Sequence, residues 1–383
     1  MRRKADERVP RDKPPTLADL GRLLGLSKRA VAQALNDRGG TVKVSAATRA
    51  RVQALAKKMG YRQNMAATAL STGRTGLFGI LAPVGRMHVT ATHLASAVDA
   101  FRDFEISPIV VCSSAKNEAG QESNLAALIG ARLDGVLLLN RQIRFTDRHV
   151  EELRRFGTAV VQVGSTRAAS HLCHFLTDRG QAFRLVFDHL AEQGFQRIGA
   201  LVSRESSTAD SVSHSSAGIQ TRIAILEAAN QIRNEGIDLK LEIHEVSPAS
   251  DGAEGVHPLY RAGYLGMKNI IQEKRVPEAL VCQVDGWAWG AMKACAEAGI
   301  RIPQDMGITG YSNEPVCSAT SLPLTSIEEP FDEMCKLGVE ELVTAVRKKE
   351  PPHQQATVLP CRLIVRESSL RRSDGVAALT NRT

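Results

Sequence analysis

Apolar positions near the start of the chain recur at helical spacing in three short runs. Leu17, Leu20, Leu23 and Leu24 fall on one side of a helix, and Thr16 three places before Asp19 has the form of a capping box. Gly25 breaks that run. Ser27 is placed to cap a second helix in which Ala30, Val31, Ala34 and Leu35 share one face while Lys28, Arg29 and Gln33 turn away. A third helix is expected to begin after Ser45, to bury Val52, Leu55, Ala56 and Met59, and to end at Gly60, where a residue without Cβ can turn left-handed. Further along the pattern changes. Short apolar runs at 77–82, 108–112, 135–139, 159–163, 198–202, 279–284 and 307–310 read as strands, with amphipathic helical stretches between most pairs. This βα rhythm predicts an α/β core with parallel sheets behind a small all-helical domain.

Charge draws the same boundary. The first 75 residues hold 17 Lys or Arg against 5 Asp or Glu, whereas the whole chain of 383 residues carries only +8, so the remainder is net acidic. Lys and Arg concentrated beside a helix-turn-helix pattern point to phosphates, because releasing counterions from a polyanion rewards cations only where they meet it. A merely solvated basic face is the alternative. Residues 1–15, MRRKADERVPRDKPP, are charged and proline-rich with no apolar stretch; they read as a disordered basic arm rather than a secretory signal, or as a start site placed too early.

Other classes lose ground on the remaining motifs. Seven cysteines without Cys-x-x-Cys spacing suit reduced thiols in a cytoplasmic protein, and no run approaches the roughly 20 apolar residues needed to span a membrane. Glycine-rich nucleotide loops, a nucleophile elbow and paired-ligand metal patterns are all missing, so neither an enzyme, a cofactor nor a metal is expected. Asp210, Ser211 and His214 form a chance cluster in one serine-rich stretch, 203–216, that reads as a polar loop or a mobile rim.

The runs TLADLGRLLGLSKRAVAQALN (16–36), VSAATRARV (44–52) and YRQNMAATAL (61–70) resemble the headpiece and hinge of the lactose-repressor (LacI) family of bacterial transcription regulators. Downstream, PLTSIEEP (323–330) and CRLIVRESS (361–369) resemble its late core segment and closing strand, so the resemblance covers roughly 16–370. It implies five segments: the arm (1–15), a helix-turn-helix headpiece (16–62), a hinge helix and linker (63–75), a periplasmic-binding-protein-like core of two lobes crossed three times by the chain (76–370), and a tail (371–383). It also implies roles. Lys28, Arg29 and Gln33 on the second helix would read base edges in a major groove, Ser27, Asn36 and Thr48 would contact or orient phosphates, and Thr16 completes the DNA-facing set. Leu70 would be the wedge that unstacks a central base step from the minor groove, with Asn64 and Ala67 on the same insertion; an ordinary buried leucine is the alternative.

Departures from the family pattern bear on specificity. Ala30, Ala32 and Gln33 stand where hydroxyl residues and an arginine are frequent, the loop 37–43 is about three residues longer, and Gln63 replaces the hinge proline. In the core, Arg222 matches the arginine that holds effector hydroxyls or carboxylates, an interlobe ion pair being its other reading. Val284 and Ser312 replace an asparagine and an aspartate. Ser312 and Asn313 are expected to meet ligand hydroxyls and Arg86 to reach the same cleft, while Asp285 reads either as a ligand or as the N-cap of a helix whose Trp287 and Trp289 pack or stack. The resemblance therefore implies a cytoplasmic homodimeric repressor that binds a pseudo-palindromic double-stranded DNA operator and is modulated allosterically by a carbohydrate-like small molecule: a sugar, a sugar acid or a nucleoside. The alternative is a ligand-independent DNA-binding protein whose core only dimerises. Operator sequence, effector identity and the polarity of its effect are not legible in the chain.

Overall fold

The structure is a computed structural model, and it describes residues 14–35, 44–62, 74–83, 88–113, 118–139, 146–164, 172–204, 212–247 and 257–371. The chain divides into two compact units, Met1–Gly76 and Leu77–Thr383.

The first unit holds α1 (Leu17–Leu24), α2 (Lys28–Leu35) and α3 (Ala46–Met59). Their ends follow local chemistry. The Thr16 hydroxyl accepts the Asp19 backbone N–H at 3.3 Å while the Asp19 carboxylate accepts that of Thr16 at 3.0 Å, which satisfies two donors that the first turn of a helix leaves over. The Thr16 hydroxyl, which also donates to the Asp19 carboxylate, and the Thr16 N–H together lower the pKa of that carboxyl. Ser27 accepts the Ala30 N–H at 3.2 Å and Ser45 that of Thr48, also at 3.2 Å, so both act as N-caps. Gly25 and Gly60 close α1 and α3 at φ 69° and 65°. Leu20, Val31, Ala34, Val52 and Ala56 form the shared core; Leu55 and Met59 pack at its margin, and Leu23 faces outward.

In the second unit, lobe 1 begins with β1 (Phe78–Pro83), α4 (His88–Arg102), β2 (Ile109–Ser113), α5 (Glu118–Gly130), β3 (Gly135–Leu139), α6 (Asp147–Arg155), β4 (Ala159–Val163) and β5 (Cys173–Thr177). The chain then builds lobe 2 from α7 (Arg179–Glu192), β6 (Arg197–Ser203), α8 (Val212–Asn234), β7 (Lys240–Val246), α9 (Pro258–Gln272), β8 (Ala279–Cys282), α10 (Asp285–Glu297), β9 (Gly307–Tyr311) and β10 (Thr325–Glu328). It returns to lobe 1 with α11 (Phe331–Lys348) and β11 (Ala356–Leu359), and ends in lobe 2 with β12 (Arg362–Ile364). Three crossings result, as the resemblance implies.

The two sheets repeat one order: β2-β1-β3-β4-β5-β11 and β7-β6-β8-β9-β10-β12. All pairings are parallel except β10 with β12. Helices cover both faces of each sheet, which explains why strands such as β3 are apolar without alternation. In lobe 1, α4 and α11 pack on one face through Phe101, Met334 and Leu342, and Leu125, Leu128, Val150 and Leu153 cover the other. In lobe 2, Phe183, Phe187 and Ile232 cover one face and Met267, Trp287 and Ala291 the other.

Two expectations change at this level. Residues 212–216, read as the end of a polar loop, form the first turns of α8, and Arg371, read as the start of the tail, is docked: its guanidinium donates to the Gly194 carbonyl at 2.9 Å and lies 4.2 Å over the Phe195 ring. The arm's residues 1–13, the loop 37–43 and the tail from 372 onward lie outside the described residues, as do Asp210 and Ser211.

Buried polar groups in the sheets are few, and His174 on β5 is one with a consequence. Its side chain is fully buried and bonded to Gln162 on β4, and burial pushes its pKa down to about 4. In the unfolded chain the imidazole protonates nearer 6.5, so stability is held above that pH and drains away as pH falls toward about 4. His174→Gln, which keeps a donor for Gln162 but does not titrate, is expected to flatten this acid limb by up to ~3 kcal/mol. Urea midpoints collected from neutral pH downward check it; parallel limbs in the two proteins would refute the assignment.

Candidate functional site

On the headpiece, α2 buries Val31 and Ala34 and leaves Lys28 and Arg29 exposed at its N-terminal end, with Gln33 half-buried one turn on. The side-chain order on α2 is thus that expected of a helix that offers long polar groups to a groove. Thr48 sits in the first turn of α3, its hydroxyl 2.9 Å from that of Ser45. Thr16 and Ser27 are exposed caps. Asn36, Asn64, Ala67 and Leu70 lie outside the described residues, and so does Arg86.

In the core, the carboxyl ends of β9 and β10 and the crossing segments meet around a cavity of about 520 Å³, whose walls include Ser312, Glu314, Glu328, Glu329 and Arg362 from the lobe 2 side, with His93 and Phe331 opposite. Open α/β sheets place ligands at such strand ends. The backbone there is strained: Ser312 and Asn313 both hold positive φ, at 111° and 45°. Four bonds hold it. The Ser312 N–H donates to the Ile327 carbonyl at 2.9 Å and that of Asn313 to Ser326 Oγ at 3.0 Å. The Asn313 amide donates to Glu328 Oε1 at 2.9 Å and accepts from Arg366 Nη2 at 2.7 Å. Asn313 is thereby a positioning residue for this turn, with Ser312 half-exposed beside the cavity.

Asp285 corrects its reading as an N-cap. It is the first residue of α10, preceded by Val284 in extended conformation with no side-chain cap. Its fully buried carboxylate accepts Ser326 Oγ at 2.6 Å and the Glu314 N–H at 2.9 Å, tying α10 to β10 and to the segment after β9. Burial raises its pKa against the lowering effect of those donors. Gly310 must be glycine beneath it, since a Cβ there would fall 2.1 Å from Asp285 Oδ1.

Arg222 stands half-exposed on α8 and is ion-paired with Glu245 near the end of β7. Both belong to lobe 2, so the pair is not the interlobe bridge weighed above. Trp287 is buried in the lobe 2 core, and Trp289 meets Tyr260 edge-on, with ring centroids 5.6 Å apart.

The sequence reading missed Glu314 and Glu329. Glu314 is only 6% exposed. Glu329 accepts the hydroxyls of Tyr311 at 3.3 Å and Thr177 at 3.4 Å, while Arg179 lies 5.2 Å over the Tyr311 ring, so β9 and two crossing segments converge on one carboxylate. The adjoining acids in PLTSIEEP were the available signal. Among the described residues no group of acids, histidines and cysteines is arranged to hold a metal ion, and no helix is long and apolar enough to cross a membrane.

Comparison with known proteins extends the picture along the chain. The family of periplasmic binding protein-like domains matches residues 187–369. Catabolite control protein A of Priestia megaterium is 23% identical over 354 residues, covering 92% of this chain and 99% of the relative. The HTH-type transcriptional repressor PurR of Serratia proteamaculans (strain 568) is 26% identical over 360 residues, covering 92% and 96%. Among solved structures, the Lac repressor dimer bound to operator and the anti-inducer ONPF superposes with a TM-score of 0.73 at 21% identity, covering 94% of this chain and 100% of that one. The transcriptional regulator CelR in complex with cellobiose gives 0.60 at 21% identity, covering 92% and 99%. A capped helix-turn-helix ahead of a two-lobed, thrice-crossed core is thus the architecture of the lac repressor structures, and the chain is similar, nearly end to end, to transcription regulators of the LacI type.

Proposed function

We propose that the protein is a sequence-specific repressor that binds a pseudo-palindromic operator as a homodimer and releases or tightens its hold when a small molecule occupies the interlobe cavity. The observation that carries the DNA half is the N-terminal end of α2, where exposed Lys28 and Arg29 precede Gln33 on the face opposite the buried Val31 and Ala34. A dimer would set two headpieces on matching half-sites, and one solved structure similar to this chain is described as a Lac repressor dimer bound to operator. Support for a ligand comes from the cavity at the strand ends and from the cellobiose named in the CelR complex. A ligand that favours one lobe angle would shift the population of DNA-competent hinges. A core that serves only dimerisation is the competing reading, favoured by Val284 and Ser312, where polar ligands are frequent in the family.

The deciding experiment is a sequenced pull-down of genomic DNA fragments with the purified protein, repeated with pools of sugars, sugar acids and nucleosides. Palindromes that vanish or sharpen with one pool support the proposal; palindromes indifferent to every pool favour the dimerisation-only core, and no enriched palindrome overturns the operator. On an enriched site, Leu70→Ala is expected to lower affinity and reduce DNA bending, since unstacking a base step is what permits the bend. Unchanged affinity and bend angle would sink the wedge.

A further inference from the structure

Among the described residues, α8 is the one helix that carries more than one exposed large apolar side chain, and it carries three. Ile219, Ile223 and Leu226 are 37%, 48% and 38% exposed and stand four and three residues apart, so they form one stripe, while Thr221, Ala224, Ile225, Ala228, Ala229 and Ile232 turn into lobe 2. Single apolar residues on a surface are ordinary, but a contiguous row of them marks a contact. We infer that α8 is covered by α8 of a second copy of this chain, the two helices running parallel about a two-fold axis, and that this contact joins two of the dimers proposed above into a tetramer.

The residues around the stripe identify the occupant. The four-three-four spacing continues to exposed Asn230, so 219, 223, 226 and 230 occupy the d, a, d and a positions of a coiled-coil seam. Isoleucine at a followed by leucine at d favours two parallel strands, and one asparagine at an a position fixes register and strand number. The Asn230 carbonyl oxygen accepts Arg233 Nη1 at 2.9 Å, and its amide nitrogen supplies donors for the partner subunit's Asn230. Charge points the same way. Arg222 and Glu227 flank the stripe at g and e, five residues apart, and in a parallel pair Arg222 faces the partner subunit's Glu227. An antiparallel pair would instead set g against g and e against e, which brings like charges together. Arg222 already holds Glu245, so its contact across the seam sets orientation more than strength.

Length decides what the seam does. From Ile219 to Asn230 it runs for about three turns, ~16 Å, too little to bury the ~1,200 Å² of a stable interface. It therefore acts as a weak second contact between dimers formed through another surface. Two dimers bound to operators on one DNA molecule are tethered, and tethering raises the local concentration enough for a weak contact to close. The consequence is a loop between two operators.

Sedimentation velocity of the full-length protein, from nanomolar to high micromolar concentration, tests this. A dimer at low concentration and a second step to tetramer are expected. Ile223→Glu should shift that second step at least about tenfold to higher concentration, since two carboxylates then meet at the axis, and should leave the dimer and the circular dichroism spectrum unchanged. Asn230→Ile should strengthen the step, an effect that a merely structural residue would not give. Ile223→Cys under mild oxidation should yield a disulfide between copies, because a faces a only in a parallel pair; the wild type, whose one exposed cysteine among the described residues is Cys112, is the control. A dimer that never associates further, or a second step indifferent to Ile223→Glu, would overturn the contact. Tetramers without the Ile223→Cys crosslink would overturn the parallel pairing. If Ile223→Glu instead left monomers, α8 would be the operator dimer's own interface and the tetramer would fall; the dimer at low concentration reports on the earlier proposal separately.

Discussion

A protein carrying Lys28→Ala and Arg29→Ala together is expected to lose its preference for operator over random DNA by about a hundredfold or more while remaining folded. Each long cation at the groove end of a recognition helix is worth about 1–3 kcal/mol of discrimination when it reaches a base edge, and the two sit on adjacent, exposed positions of α2. Removing them leaves the headpiece core of Leu20, Val31, Ala34, Val52 and Ala56 untouched, and alanine is the best helix former. Fluorescence anisotropy on the enriched palindrome and on a scrambled duplex, at two salt concentrations, separates the possibilities. A uniform loss on both duplexes, with a flatter salt slope, would mean that the pair only meets phosphates. Preserved discrimination would move base reading elsewhere. Gln33→Ala is the internal reference, expected to change preference at one base pair per half-site with little effect on overall affinity.

The headpiece was legible because its determinants are local. Caps, left-handed glycines and a one-sided apolar face act within a few residues of one another, and the expected starts of α1, α2 and α3 and the glycine ends of α1 and α3 lie where local chemistry places them. Central strands were legible for a related reason: β3, flanked by strands on both sides and covered on both faces, is apolar throughout, and β4 departs from that only at Gln162. Edge and late strands were not. β7 pairs only with β6, so its outer side tolerates Glu242, His244 and Glu245, and its alternation is lost among charges. β5 hides behind His174, whose buried bond to Gln162 is a contact between strands that no window on either one reveals.

Site residues divide in the same way. Ser312 and Asn313 drew notice from their place after a strand, yet the use of the Asn313 amide by Glu328 and Arg366 depends on partners 15 and 53 residues away. Asp285 resembled a helix cap because an acid before an amphipathic run usually is one; its partners Glu314 and Ser326, which make it a buried tie, lie far along the chain. Glu329 gains its meaning only when β9 and two crossing segments converge.

Glycines inside helices were the least legible signal, and they carry the largest expected effect on stability. By propensity alone Gly263 on α9 and Gly290 on α10 weaken their helices by about 1 kcal/mol each relative to alanine, so Gly290→Ala would be expected to stabilise. Packing reverses the sign. A Cβ at Gly290 would fall 2.0 Å from the Tyr260 carbonyl oxygen and 2.6 Å from the Tyr264 nitrogen, and one at Gly263 2.1 Å from the Trp287 carbonyl oxygen. These neighbours are backbone, which cannot swing aside as a side chain does, so the helices must part and the buried cluster of Met267, Ile270, Trp287, Ala291 and Cys295 must loosen with them. Gly290→Ala is expected to cost ~3 kcal/mol or more and to lower the melting temperature of the core by roughly 10 °C. Gly130→Ala is the control, because a Cβ at the end of α5 meets nothing within 4 Å and should be neutral or slightly stabilising. Scanning calorimetry of the two variants decides the matter: if Gly290→Ala melts with or above Gly130→Ala, α9 and α10 do not pack backbone to backbone as described.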